Sequence, residues 1–252
     1  MQSSLKAIVI LGALSVTQAF PAKRDIISAL PGSADEIDLR FQPLLDFDRD
    51  GCYNTAAIDS SGYTNPGLSA TGTPEGRCRD PPQLQNSNVY SRRRCNNGYC
   101  AVMYEYYFEK DQAVRGSFLG GHRHDWENIV VFSQGNSIIR VAASCHGGYG
   151  DASNSFPASG TRPYLVYHKD GISTHCFRFA NGDDIAGPEN HFGQFYTSPL
   201  ISWDRWPSVD LRNRMLAAWS GGVGPKLDGE FGDNLRNAAG DGVPGFDPYL
   251  DA

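Results

Sequence analysis

The chain has 252 residues, with 22 Lys and Arg against 28 Asp and Glu, and a net charge of −6. An acidic total argues against a nucleic-acid partner, whose binders carry a basic face, and against adhesion to anionic lipid through bulk charge alone. Aromatic residues at 12% and charged residues at 20% describe a globular chain rather than a disordered one.

At the N-terminus, Lys6 is followed by the apolar run AIVILGAL and then by SVTQA. A basic residue, a short apolar core and a small-residue exit make a secretory signal peptide, residues 1–19, expected to be cleaved after Ala19. The run is too short to anchor in a bilayer. No later segment is long and apolar enough to cross one, so the mature chain is expected to be soluble. Lys23 and Arg24 read either as a second processing site or as a chance surface pair. About 230 residues remain, enough for one domain, or two at most.

SADE, residues 33–36, reads as a capping box that opens a short helix. Residues 46–84 are rich in Gly, Pro, Asn, Ser and Thr. That is loop chemistry, and so long a loop needs a function or a staple. Within it Asp46, Asp48, Asp50 and Gly51 match the opening of an EF-hand loop, but the twelfth position is Ala57 instead of Glu. An acidic turn is the better reading. The basic run Arg92 to Arg94 reads as a solvated turn.

Strands follow. YCAVMYEYYFEK alternates around Val102, Tyr104, Tyr106 and Phe108, and ENIVVFS, SIIRVAAS, RPYLVYH and HCFRFA are short, β-branched or aromatic segments, mostly separated by Gly or Asn turns. The spacing predicts an all-β core, an antiparallel β-sandwich with flanking helices. PSVDLRNRMLAAWSGG reads as one helix, capped by Ser208, with Asp210 in its first turn and Gly221 at its end. GDNLRNAAG adds a further helical turn. Six cysteines in a secreted chain imply three disulfides. Sequence does not choose among the connectivities. Neighbour pairing is the simplest: Cys52–Cys78, Cys95–Cys100 and Cys145–Cys176. No C-x-x-C pair favours zinc, and no N-x-S/T sequon occurs.

The chemistry concentrates in GHRHDWE, residues 121–127. As an extended chain it alternates faces. His122, His124 and Trp126 point one way, and Arg123, Asp125 and Glu127 the other. Two neighbouring carboxylates need a cation or a proton between them. If residues 111–121 form a hairpin, Asp111 returns to the same edge. Three carboxylates suit a hard cation, Ca²⁺ or Mg²⁺, rather than zinc. The spacing fits neither H-E-x-x-H nor H-x-H-x-D-H, and no G-x-S-x-G elbow occurs. Glu105, Glu109, Asp125 and Glu127 supply carboxylates for a glycosidase, but nothing marks two of them as a pair. The cluster reads equally well as a hydrogen-bonded network without metal.

GHRHDWE resembles the signature heptapeptide of the necrosis- and ethylene-inducing-peptide-like proteins. DGCYNTAAID, GRCRD, CAVMYEYYFEKDQ, HGGYG, VYHKDGISTHCFRFA and PLISWDRWP resemble further family blocks in the same order. The resemblance implies a domain at 46–252 behind an N-terminal extension, 20–45, and a β-sandwich similar to actinoporins. It implies a secreted cytolytic virulence factor of plant-associated microbes, not an enzyme, that binds glycosylated sphingolipids (glycosylinositol phosphorylceramides) of eudicot plasma membranes through a divalent cation. It carries the ligand roles to Asp111 and Asp125 directly, and to His122, Glu127 and His175 mainly through water. Since His122 faces the wrong way in an ideal strand, a bend at Gly120 and Gly121 is expected to re-aim it. His124 and Trp126 support the motif from the core side, with Arg123 beside them. Cys52–Cys78 resembles the bridge common to most of the family, and Cys95–Cys100 the second bridge of a type 2 subgroup.

One departure stands out. Gly171 and Ile172 occupy the loop where many members carry a bulky aromatic, which implies a weaker grip of this loop on a bilayer and leaves both a toxic and a non-toxic member open. Trp203 and Trp206 are membrane candidates by residue type, although packing against the helix after Ser208 is the plainer reading. Residues 101–127 resemble the family peptide sensed by plant pattern-recognition receptors, a role that needs no toxicity. The competing class is a secreted metal-dependent hydrolase of cell-wall or phosphate substrates.

Overall fold

The computed structural model describes residues 26–116, 120–219 and 223–251. The expected signal peptide, the Lys23–Arg24 pair and the helix stop at Gly221 lie outside them. In chain order the elements are α1 (Glu36–Phe41), β1 (Leu44–Phe47), α2 (Pro81–Gln85), β2 (Val89–Asn96), β3 (Tyr99–Gln112), β4 (Gly121–Gln134), β5 (Ser137–Cys145), β6 (Gly148–Ser153), β7 (Ala158–Ser159), β8 (Arg162–Lys169), β9 (His175–Phe179), α3 (Gly182–Ala186), β10 (Leu200–Ser202), α4 (Val209–Ala218) and α5 (Phe231–Ala239).

Strict alternation along β3 builds three layers. Val102, Tyr104, Tyr106 and Phe108 point into one core, shared with Phe47, Leu165, Tyr167 and Phe177 of the smaller sheet. Ala101, Met103 and Tyr107 point into a second core, shared with Leu211 and Met215 of α4 and with Phe231, Leu235 and Ala238 of α5. The large sheet runs β10-β2-β3-β4-β5-β6. The small one runs β1-β8-β7, with β9 paired to β8.

The β core with flanking helices expected from sequence is present, but its two sheets are mixed and not wholly antiparallel. β1 pairs β8 in parallel, and β10 pairs β2 in parallel. These strands arrive from distant parts of the chain, so no hairpin dictates their direction. Residues 26–45, expected to precede the domain, are woven into it. Leu30 and Phe41 are fully buried, and Ser33 bridges Ile201. α1 forms where SADE pointed, but its N-cap is Asp35 and no side chain caps it.

The arginine run is no solvated turn. It forms part of β2, where Arg92 lies over Trp203 and Phe231, Arg93 pairs with Asp38, and Arg94 pairs with Asp251. α4 starts as expected, with the Ser208 hydroxyl accepting from the Leu211 amide. α5 is longer than the single turn expected. The three disulfides join Cys52 to Cys78, Cys95 to Cys100 and Cys145 to Cys176.

Candidate metal centre

The site sits at the end of the β3–β4 hairpin, where Asp111 is directly opposite His122. β5 accompanies β4 only from Gln134 to Ile129, and its end is bonded to β9 through Cys145 and Cys176. Residues 121–128 of β4 therefore keep one side free of a paired strand among the described residues. A cavity of about 460 Å³ opens there, lined by Asp111, His122, Asp125 and Glu127 at one end and by α5 side chains at the other.

Ligand atoms of Asp111, His122 and Asp125 lie within 4.8 Å of one another. In an ideal strand His122 and Asp125 would face opposite ways. His124 resolves this with a left-handed backbone, φ 62°, an uncommon conformation for a residue with a side chain. It reverses the alternation between the two ligands. The expected bend at Gly120 and Gly121 could not have done so, because both glycines precede His122 and would turn the ligands together. The His124 ring is held by the Tyr107 hydroxyl, 2.7 Å from Nδ1, and lies against Trp219. Trp126 is buried beside Tyr107 and Trp219. Arg123 donates to the Pro66 carbonyl at 2.9 Å and to the Ser69 hydroxyl at 2.8 Å, tying the motif to the long loop.

Asp111, Asp125 and Glu127 are all buried. Burial, then the charge of Asp111, pushes the Asp125 carboxyl up to about 7. Burial, then Asp125, holds Glu127 well above the usual carboxylate range. Glu127 also makes a short contact with the Ser144 hydroxyl. Tyr167 donates its hydroxyl to Asp125 at 3.0 Å. Without a cation, then, Asp125 and Glu127 are driven to take up protons. A divalent ion would supply the same compensation at neutral pH, so the oxygen-rich set fits a hard cation.

His175 does not line the cavity. It stands behind Asp111, with Nδ1 2.8 Å from Oδ1 and its backbone N–H donating to both carboxylate oxygens. Its Nε2 is 3.7 Å from Asp50. Burial would depress this imidazole, but its contacts with Asp111 and Asp50 outweigh burial and push it up to about 9. His175 therefore orients and charge-balances Asp111 from the small sheet, which is the usual role of a group behind a metal ligand.

Of the carboxylates offered for a glycosidase, Asp125 and Glu127 meet in the cavity, whereas Glu105 and Glu109 do not line it. Glu105 is buried against the Lys226 amide, and burial pushes it up to about 8. Glu109 accepts from Gln83. In the EF-hand-like turn, Asp46 is buried and committed to the Glu189 and Asn190 amides. The far wall, with Tyr149, Lys226, Asp233, Asn234 and Asn237, was not foreseen. Tertiary packing of β6, of the segment 223–230 and of α5 brings these residues to the heptapeptide, and no local pattern marks them.

A two-sheet β core backed by helices, with one acidic cavity suited to a hard cation, defines the class of protein. Within it the chain belongs to the necrosis inducing protein (NPP1) family, whose model matches residues 35–238. It is 31% identical to NLP effector protein 10 of Phytophthora capsici over 79% of this chain and 81% of that one. Among solved structures it resembles necrosis and ethylene inducing protein 2 from the agent of cocoa's witches' broom disease, with a TM-score of 0.70, 28% identity, and 84% and 94% of the two chains covered. It also resembles NLPPya in complex with mannosamine, with a TM-score of 0.68, 30% identity, and 84% and 95% covered.

Proposed function

We propose that this chain is a secreted necrosis-inducing virulence effector that docks on glycosylated sphingolipid headgroups of the plant plasma membrane and damages the bilayer without acting as an enzyme. The carrying observation is the meeting of Asp111, His122 and Asp125 at the mouth of a polar cavity, with ligand atoms within 4.8 Å. These three would hold a Ca²⁺ or Mg²⁺ ion. When bound, the ion would neutralise the carboxylates and offer coordination positions to sugar hydroxyls.

The protein's own part is positioning. His175 fixes Asp111, Tyr167 fixes Asp125, Ser144 fixes Glu127, and the amides of α5 face the same space. The solved relative bound to mannosamine and the effector name of the Phytophthora relative support a sugar-reading effector. The actinoporin-like role of the core is that of a rigid support. Ile172, at the tip of the 170–174 turn, is 94% exposed and is the apolar group this loop offers to a bilayer in place of an aromatic. Trp203 and Trp206 are not such groups: Trp203 lies between Arg92 and Arg212, and Trp206 stacks on Tyr90.

Dye leakage from eudicot plasma-membrane vesicles tests the reading. Leakage by wild type, lost in Asp125→Ala and with chelator, is expected. Equal leakage by all three would sink the cation-dependent mechanism. Absence of leakage from folded wild type would leave the non-toxic, receptor-sensed role of residues 101–127. Release of product from a soluble polysaccharide or phosphoester would establish the hydrolase instead.

A further inference from the structure

On the reverse side of the same hairpin lies a second cavity of about 350 Å³, lined by Gly67, Leu68, Ser69, Thr71, Gly76, Arg77, Lys110 and Arg123. It shares no lining residue with the acidic cavity. Lys110 and Arg123 are directly opposed across β3 and β4, one rung from Asp111 and His122, so alternation sends them to the other face. Three cations line this space and no carboxylate does, in a chain whose net charge is −6.

Like charges directly opposite in an antiparallel pair are destabilising unless something answers them. Here the answers are partial. The Lys110 side chain is buried, and its ammonium donates to the Thr73 carbonyl at 2.7 Å and to Gln112 Oε1 at 3.0 Å. Arg123 spends its terminal nitrogens on Pro66 and Ser69. These neutral acceptors satisfy hydrogen bonds and leave the charge standing. Burial and the neighbouring guanidinium of Arg77 both disfavour charge on Lys110, which only Glu75, outside the lining, opposes.

Arg77 has no side-chain hydrogen bond or ion pair among the described residues. Its backbone is nevertheless fixed. It has φ 67°, its carbonyl accepts from Gln83 at 2.6 Å, and the next residue, Cys78, is bonded to Cys52. An uncommitted guanidinium on a fixed backbone, beside two under-compensated cations and the Ser69 and Thr71 hydroxyls, is arranged for a planar or tetrahedral oxyanion.

We propose that this pocket is an anion site that takes a phosphate group, either free or as part of a lipid headgroup. Arg77 supplies the bidentate contact, while Lys110 and Arg123 supply fixed positive charge. The site is independent of the cation cavity and lies on the opposite face of the hairpin that carries it.

The test titrates inorganic phosphate into the full chain, stripped of metal on a chelating resin, at low ionic strength and by calorimetry. Arg77→Ala is compared with Arg49→Ala, an equal loss of surface charge elsewhere. Arg77 is exposed, so its truncation leaves the fold standing, which circular dichroism verifies. The expected result is binding by wild type and by Arg49→Ala, weakened about tenfold in Arg77→Ala, as fits the loss of one charge-assisted contact. Added salt should weaken it further. No binding by the folded wild type, or equal loss in the two variants, would overturn the proposal. A second arm sediments the protein with phosphatidylcholine vesicles, with and without phosphatidic acid and free of any glycolipid. Arg77-dependent binding to the acidic vesicles upholds the pocket and assigns it a lipid phosphate. Phosphate binding without vesicle binding upholds it and assigns a soluble one.

Discussion

His124 does more for the site than its lack of a ligand role suggests. Its left-handed backbone places His122 and Asp125 on one side of β4. A β-branched replacement resists that conformation by roughly 1–2 kcal/mol, whereas glycine adopts it freely. His124→Val should therefore lose divalent-cation affinity in a calorimetric titration, while His124→Gly keeps most of it despite losing the Tyr107 contact. Equal loss in both would show that the ring and not the backbone sets the site.

The titrating groups give a second expectation. Asp125 rises from 3.8 to about 7 and His175 from 6.5 to about 9 on folding. A raised native pKa means that the folded state holds protons which the unfolded state has released. Stability from Asp125 is thus full below about 4 and fades up to about 7; that from His175 fades between about 6.5 and 9. Metal-free protein should melt at progressively lower temperature as pH rises from 5 to 9. Saturating Ca²⁺ should flatten that decline, because the ion replaces the proton between the acids. A melting temperature that rises with pH in the metal-free protein would contradict this reading.

At the scale of elements, the long loop of residues 46–84 is held by more than its disulfide. Arg79 donates to the carbonyls of Phe47, Asp48, Gly51 and Glu189 and lies over Tyr53. Replacing Cys52 and Cys78 by Ser should cost about 2–5 kcal/mol in urea unfolding. A cost near zero would mean that Arg79 alone fixes the loop. β3 and β4 were legible because a strand buried on both faces still alternates between two cores, and its Val, Tyr and Phe reveal the period. β2 was not legible. Its three arginines carry the chemistry of a solvated turn, and only Trp203, Phe231, Asp38 and Asp251, far away in sequence, make them strand residues. The acids of the site were legible as a cluster. The alternation that brings His122 beside Asp125 was not, because it depends on a backbone conformation that histidine rarely takes.

On the scale of the whole molecule, the site and the groups that hold its acids join the three layers. Asp111, Asp125 and Glu127 come from the large sheet, His175 and Tyr167 from the small one, and Asp233, Asn234 and Asn237 from the helical layer. An ion bound there binds only the folded state. At a hundredfold excess over its dissociation constant it should add about 2.7 kcal/mol of stability, read as a chelator-sensitive rise in melting temperature. Trp206, stacked on Tyr90 at 5.3 Å between ring centroids, belongs to this framework. Trp206→Ala should lower stability by about 1–3 kcal/mol and leave vesicle binding per folded molecule unchanged.

The early departure of β5 from β4 has a further consequence. A strand side without a partner is a template on which another copy can extend the sheet, the first step toward fibrils. Here the acidic cavity opens beside that side, and an incoming strand would have to close over its polar lining. The opening proposed to admit a ligand would thus also protect the sheet against polymerisation.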